Sequence, residues 1–153
     1  MTVIDLPDEN ATALLAARLA TLAAPGDAIA LKGELGAGKT TFARAFIRAR
    51  GSGEIVPSPT FTLVQVYDLP GGAVWHFDLY RLRRPEDAWE LGIEDAFHDG
   101  ISLIEWPERL GPLLPAGRLE LAFDFGLAPT ARRATLRGDG DWAARLTGIG
   151  ATA

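Results

Sequence analysis

A chain of 153 residues, 48% of them hydrophobic, suits one domain with a sizeable core and excludes a disordered tail protein. Fifteen basic against 20 acidic residues give a net charge of −5, which argues against a protein that grips nucleic acid unaided. No cysteine means no disulfide or thiolate metal site, and two histidines, His76 and His98, are too few for an ordinary zinc centre.

No apolar run approaches the roughly 20 residues that cross a bilayer. Met1-Thr2-Val3-Ile4-Asp5 lacks the basic and apolar regions of a signal peptide. A cytoplasmic protein without membrane contact is the expectation.

The first helix is expected over Asn10 to Ala24, with Leu14, Leu15, Leu19 and Leu22 as its apolar stripe and Asp8 or Asn10 as its cap. Pro25-Gly26-Asp27 signals a turn before the short apolar strand Ala28 to Leu31. Gly33-Glu34-Leu35-Gly36-Ala37-Gly38-Lys39-Thr40 follows, the full G-x-x-x-x-G-K-T pattern of a phosphate-binding loop. Thr41 to Arg50 carries good helix formers, with Phe42, Ala45 and Phe46 at i, i+3, i+4 and Gly51 where a C-terminal cap belongs. Strand, glycine loop and helix thus come in the order that such a loop requires.

Ser58-Pro59-Thr60 reads either as a proline turn or as a switch loop that brings a hydroxyl to a γ-phosphate. Leu63 to Tyr67 and Ala73 to Asp78 flank Pro70-Gly71-Gly72 as a hairpin. Arg81, Arg83 and Arg84 form the densest basic cluster. Pro85 to Phe97 reads as a helix interrupted by Gly92, and Ile101 to Glu105 as a buried strand ending in an acid. Leu119 to Phe125 and Ala134 to Arg137 read as strands, and Asp141 to Leu146 as a terminal helix. The alternation predicts a single α/β domain over 1–153: a three-layer, P-loop NTPase-like, mostly parallel sheet with an antiparallel hairpin.

The loop implies a nucleoside triphosphate. Its glycines let backbone N–H groups close on phosphate oxygens. Lys39 would bring a point charge to the β- and γ-phosphates, and the Thr40 hydroxyl would ligate magnesium. The helix that follows points its positive end at the same anion. Phosphoryl chemistry also needs a carboxylate from a nearby strand, and Asp78 and Glu105 both qualify. The residues leave open which of them touches magnesium and which acts through water. No N-K-x-D signature of guanine recognition follows the loop, so ATP is expected. No arginine finger is evident in cis, and Arg81 is the one candidate. A small-molecule kinase and a nucleotide-dependent binding module remain as alternatives.

In combination, GELGAGKTTFARAF, SPTFTLVQVY, HFDLYRL, LGIEDAF and LIEWPE resemble the bacterial TsaE (YjeE) family, in the same order, from about Leu6 to Asp124. The resemblance implies a small ATPase required for threonylcarbamoyladenosine in tRNA reading codons that begin with adenine. It also implies work with TsaD and TsaB, with tRNA reached indirectly through their complex and with TsaD carrying the transfer chemistry. Carried over by position, it implies that Gly36, Ala37, Gly38, Lys39, Thr40 and Thr41 hold the ATP phosphates. It associates Thr40 and Glu105 with magnesium and Asp78 with hydrolysis. It sets Trp106 beside the magnesium glutamate, Glu108 near the nucleotide and Asp8 near the base. Arg132 or Arg133 falls near a further nucleotide contact.

Overall fold

A computed structural model describes residues 1–51 and 62–149. Four strands form the parallel centre of a seven-stranded sheet: β2 (Ala28–Lys32), β4 (Val74–Asp78), β5 (Ile101–Glu105) and β6 (Leu119–Phe125). Antiparallel strands close both margins. β3 (Val64–Tyr67) pairs with β4 as the expected hairpin, while β7 (Arg132–Gly138) joins β6 and β1 (Thr2–Leu6) joins β7. The order is β1-β7-β6-β2-β5-β4-β3.

Both faces of the centre are covered, which is why β2 reads as an apolar run from Ala28 to Leu31 and every residue of β5 is buried. On one face lie α1 (Glu9–Leu22), α2 (Lys39–Ala49) and α4 (Asp141–Arg145), over a core that includes Leu19, Ile29, Leu31, Phe42, Phe46 and Leu103. On the other lie two short 3₁₀ segments and α3 (Ile93–Asp99), over Phe77, Leu79, Ile93, Ile104 and Leu110. No helix among the described residues is long and apolar enough to cross a membrane.

Local chemistry explains most boundaries. Asp8 is the cap of α1, its Oδ1 accepting the Ala11 N–H at 2.9 Å. The expected stripe needs correction, since Leu14 is 69% exposed. At 100° per residue the buried face is Thr12, Leu15, Ala16, Leu19 and Ala20, and its small side chains let α1 lie close on α2. The helix stops at Leu22, two residues early, because Asp27 Oδ2 accepts the Ala24 N–H at 2.7 Å and starts the turn. The interruption expected at Gly92 (φ 85°) divides the segment into a 3₁₀ turn, Pro85–Leu91, and α3. Strand β1 was not expected, because its partner β7 lies some 130 positions further along the chain.

Candidate functional site

Parallel register builds the site. Leu31 of β2 pairs with Glu105 of β5, and Glu105 pairs with Asp78 of β4. The glycine loop and both carboxylates therefore emerge side by side at the C-terminal edge of the sheet, where α/β proteins hold ligands. The loop runs directly from β2 into α2, whose first residue is Lys39. Gly33 has φ 141°, and a Cβ there would lie 2.7 Å from the Phe123 carbonyl oxygen of β6. Gly33→Ala should destabilise the fold by about 2–3 kcal/mol, read as a lowered thermal midpoint. An unchanged midpoint would refute this account of the loop's packing.

Lys39 is buried, and its Nζ donates to the carbonyls of Gly33 and, at 3.2 Å, Glu34. It lies 3.7 Å below the Trp106 ring centroid, a cation–π contact. Burial pulls its ammonium below the usual lysine value, and the carboxylates of Glu105, Glu108 and Asp78 pull the other way. Trp106 adopts φ 61° and ψ 52°, a left-handed conformation unusual for a bulky residue and costing on the order of 1–3 kcal/mol. That turn lays its ring over Lys39 and against Tyr80, with ring centroids 5.0 Å apart.

Thr40 and Glu105 meet directly: the Thr40 Oγ1 hydroxyl donates to Glu105 Oε1 at 2.8 Å. The other oxygen, Oε2, lies 2.6 Å from His76 Nε2. His76 was not among the expected site residues. Its signal was available, since strand alternation puts positions 76 and 78 on one face. Asp78 is 7% exposed and accepts the Tyr80 N–H at 3.2 Å.

A hydroxyl and a carboxylate at this spacing form a hard-oxygen pair suited to magnesium, which takes few protein ligands and keeps waters and phosphate oxygens. The described residues contain no cluster of three or more metal-ligating His, Cys, Asp or Glu side chains.

The expected residues distribute over three adjoining cavities. Gly36, Gly38, Lys39, Thr40, Thr41, Asp78 and Glu105 line one of about 190 Å³ with Tyr80 and Trp106. Asp8 lies apart from the metal-type pair, in a cavity of about 540 Å³ with Gly36, Gly38, Thr41, Thr130 and Arg132. Glu108 lines a third with Trp106 and Phe123. Ala37 is buried in the core behind the loop.

The two arginines separate cleanly. Arg132 braces the loop, Nη2 donating to the Gly36 carbonyl at 3.1 Å, whereas Arg133 pairs with Asp5 at 2.9 Å. Arg84 pairs with Asp87 at 3.6 Å, so the basic cluster is partly neutralised. Ser58 and Thr60 lie outside the described residues.

The cap gives Asp8 a structural role that can be separated from any ligand role. Asp8→Ala should cost about 1 kcal/mol, a fall of roughly 2–4 °C in thermal midpoint, while Asp8→Asn should retain it. Equal losses in both variants, measured by calorimetry, would overturn the capping role.

A mixed sheet with a parallel centre, the glycine loop between β2 and α2 and carboxylates on β4 and β5 defines a P-loop NTPase-like protein. Residues 6–133 match the family described as Threonylcarbamoyl adenosine biosynthesis protein TsaE. The chain belongs to that family. It is 42% identical over 117 residues to the tRNA threonylcarbamoyladenosine biosynthesis protein TsaE of Rickettsia felis, covering 76% of this chain and 68% of that one. The protein of the same name from Bacillus subtilis is 39% identical over 116 residues, covering 75% and 71%. The crystal structure of YdiB from Bacillus subtilis matches with a TM-score of 0.80 and 29% identity, over 98% of this chain and 93% of that one.

Proposed function

We propose that this chain is a magnesium-dependent ATPase that serves the formation of threonylcarbamoyladenosine in tRNA together with TsaD and TsaB. One observation carries the reading: the Thr40 hydroxyl and the Glu105 carboxylate stand 2.8 Å apart beside a glycine loop whose lysine is within the same cavity. Membership of the TsaE family supports the biosynthetic role.

In this reading the amides of Gly36 to Thr41 and the Lys39 ammonium hold the phosphates of ATP. Thr40 and Glu105 would hold the metal, which when bound would supply positive charge against the phosphate oxygens. Lys39, held by its loop carbonyls beneath the Trp106 ring, would offer its ammonium to the phosphates. Asp78, almost buried and oriented by the Tyr80 N–H, accepts a hydrogen bond from the attacking water and aligns it. Asp8, in the 540 Å³ cavity beyond Gly36, stands on the base side.

If Arg81 supplies no arginine finger in cis, turnover by the chain alone should be slow and should rise when a partner completes the site, since such a residue is worth about 10³–10⁵ in rate. The test is ATP turnover and co-elution with and without a TsaD–TsaB complex, in ATP and in ADP. Faster turnover and nucleotide-dependent co-elution are expected. Charge reversal at Arg83 and Arg84 should weaken the association, read as lost co-elution at equal concentration. No partner effect on either readout would overturn the partnership, and phosphate transfer to a metabolite instead of water would replace the ATPase with a kinase.

A further inference from the structure

We infer that His76 is a positioning residue that pins one oxygen of Glu105 so that the other is presented to the metal; the inference rests on the magnesium–nucleotide reading of the site. His76 lies on β4, two positions before Asp78, and its side chain is wholly buried. Its Nε2 meets Glu105 Oε2 at 2.6 Å, while Nδ1 is buried with no hydrogen-bond partner among the described residues. Among the described residues a polar ring has thus been taken out of water for a single hydrogen bond, and that bond is with Glu105. Leucine or phenylalanine would fill the same space without an unsatisfied nitrogen, so packing alone does not account for the imidazole.

The geometry of the carboxylate gives the contact its purpose. Glu105 is 2% exposed and is gripped from two sides: Oε1 accepts the Thr40 hydroxyl from the first turn of α2, and Oε2 accepts the His76 N–H from β4. Thr40 and Oε1 form the pair expected to turn toward a cation. Oε2 is then held by the imidazole alone among these contacts. Held so, the carboxylate cannot rotate about its last bond, and Oε1 stays beside Thr40. Partners of this kind behind a metal-ligating group are worth about 10–100-fold in metal affinity. His76 itself touches neither metal nor nucleotide.

Two conservative amides isolate this role. In His76→Gln the amide nitrogen can reach the position of Nε2, whereas in His76→Asn it is one methylene short. The measurement is affinity for a non-hydrolysable ATP analogue across a magnesium titration, with thermal midpoints taken in parallel without nucleotide. The wild type should bind more tightly with magnesium. His76→Asn should need about 10–100-fold more magnesium for the same gain, with magnesium-free affinity unchanged, and His76→Gln should recover most of the loss.

Equal magnesium requirements in Asn, Gln and wild type would overturn the inference. So would equal defects in Asn and Gln that extend to magnesium-free binding, which is the mark of packing damage. Wild-type affinity indifferent to magnesium would instead overturn the metal reading of the site, and this inference with it.

Discussion

Lys39→Ala loses tight ATP binding, by about 100-fold or more, equivalent to roughly 2.7 kcal/mol. The fold survives the change. Lys39 is a buried ammonium that desolvation already disfavours, and its present partners are the carbonyls of its own loop. Removing it takes away a buried charge and leaves no opposite charge paired only with it, since Glu105 keeps Thr40 and His76. Nucleotide affinity and circular dichroism measured together check the prediction. Wild-type affinity and turnover in the variant would refute the phosphate-loop reading.

Glu105→Gln is the second large effect, and it should fall on magnesium. The change keeps the size of the side chain but removes the negative charge and turns one of its two accepting oxygens into an N–H donor. Turnover should drop on the order of 100-fold or more, because the charge that retains the metal is gone. Magnesium-free nucleotide binding should change little. Asp78→Asn should differ in kind: turnover falls about 100-fold or more while ATP affinity and magnesium requirement stay near wild type. The two carboxylates are neighbours in register, so the contrast tests their division of labour and not their location. Wild-type magnesium titrations and turnover in both variants would exclude these acids from the site.

Much of the fold was legible because its signals are local. The glycine loop, the Asp8 cap, the break at Gly92 and the largely apolar strands β2 and β5 are short-range patterns, and each follows from backbone sterics, capping or burial on both faces. The misplaced Leu14 and the unforeseen β1 have another origin. Which side of α1 is buried is set by α2 and the sheet, and β1 exists only because β7 returns beside it.

By itself, the sequence determined that a phosphate-binding loop stands between a strand and a helix and that two later strands end in acids. Those are statements about neighbours along the chain, where periodicity and turn chemistry act directly. Only the tertiary structure decided that Asp78 and Glu105 share a register, that Thr40 reaches Glu105 across 65 positions, and that His76 holds the opposite oxygen. It also separated Arg132, which braces the loop, from Arg133, which does not. The reason is physical: hydrogen bonds between distant segments depend on the pairing and register of strands, and that register is settled by burying both faces of the sheet at once.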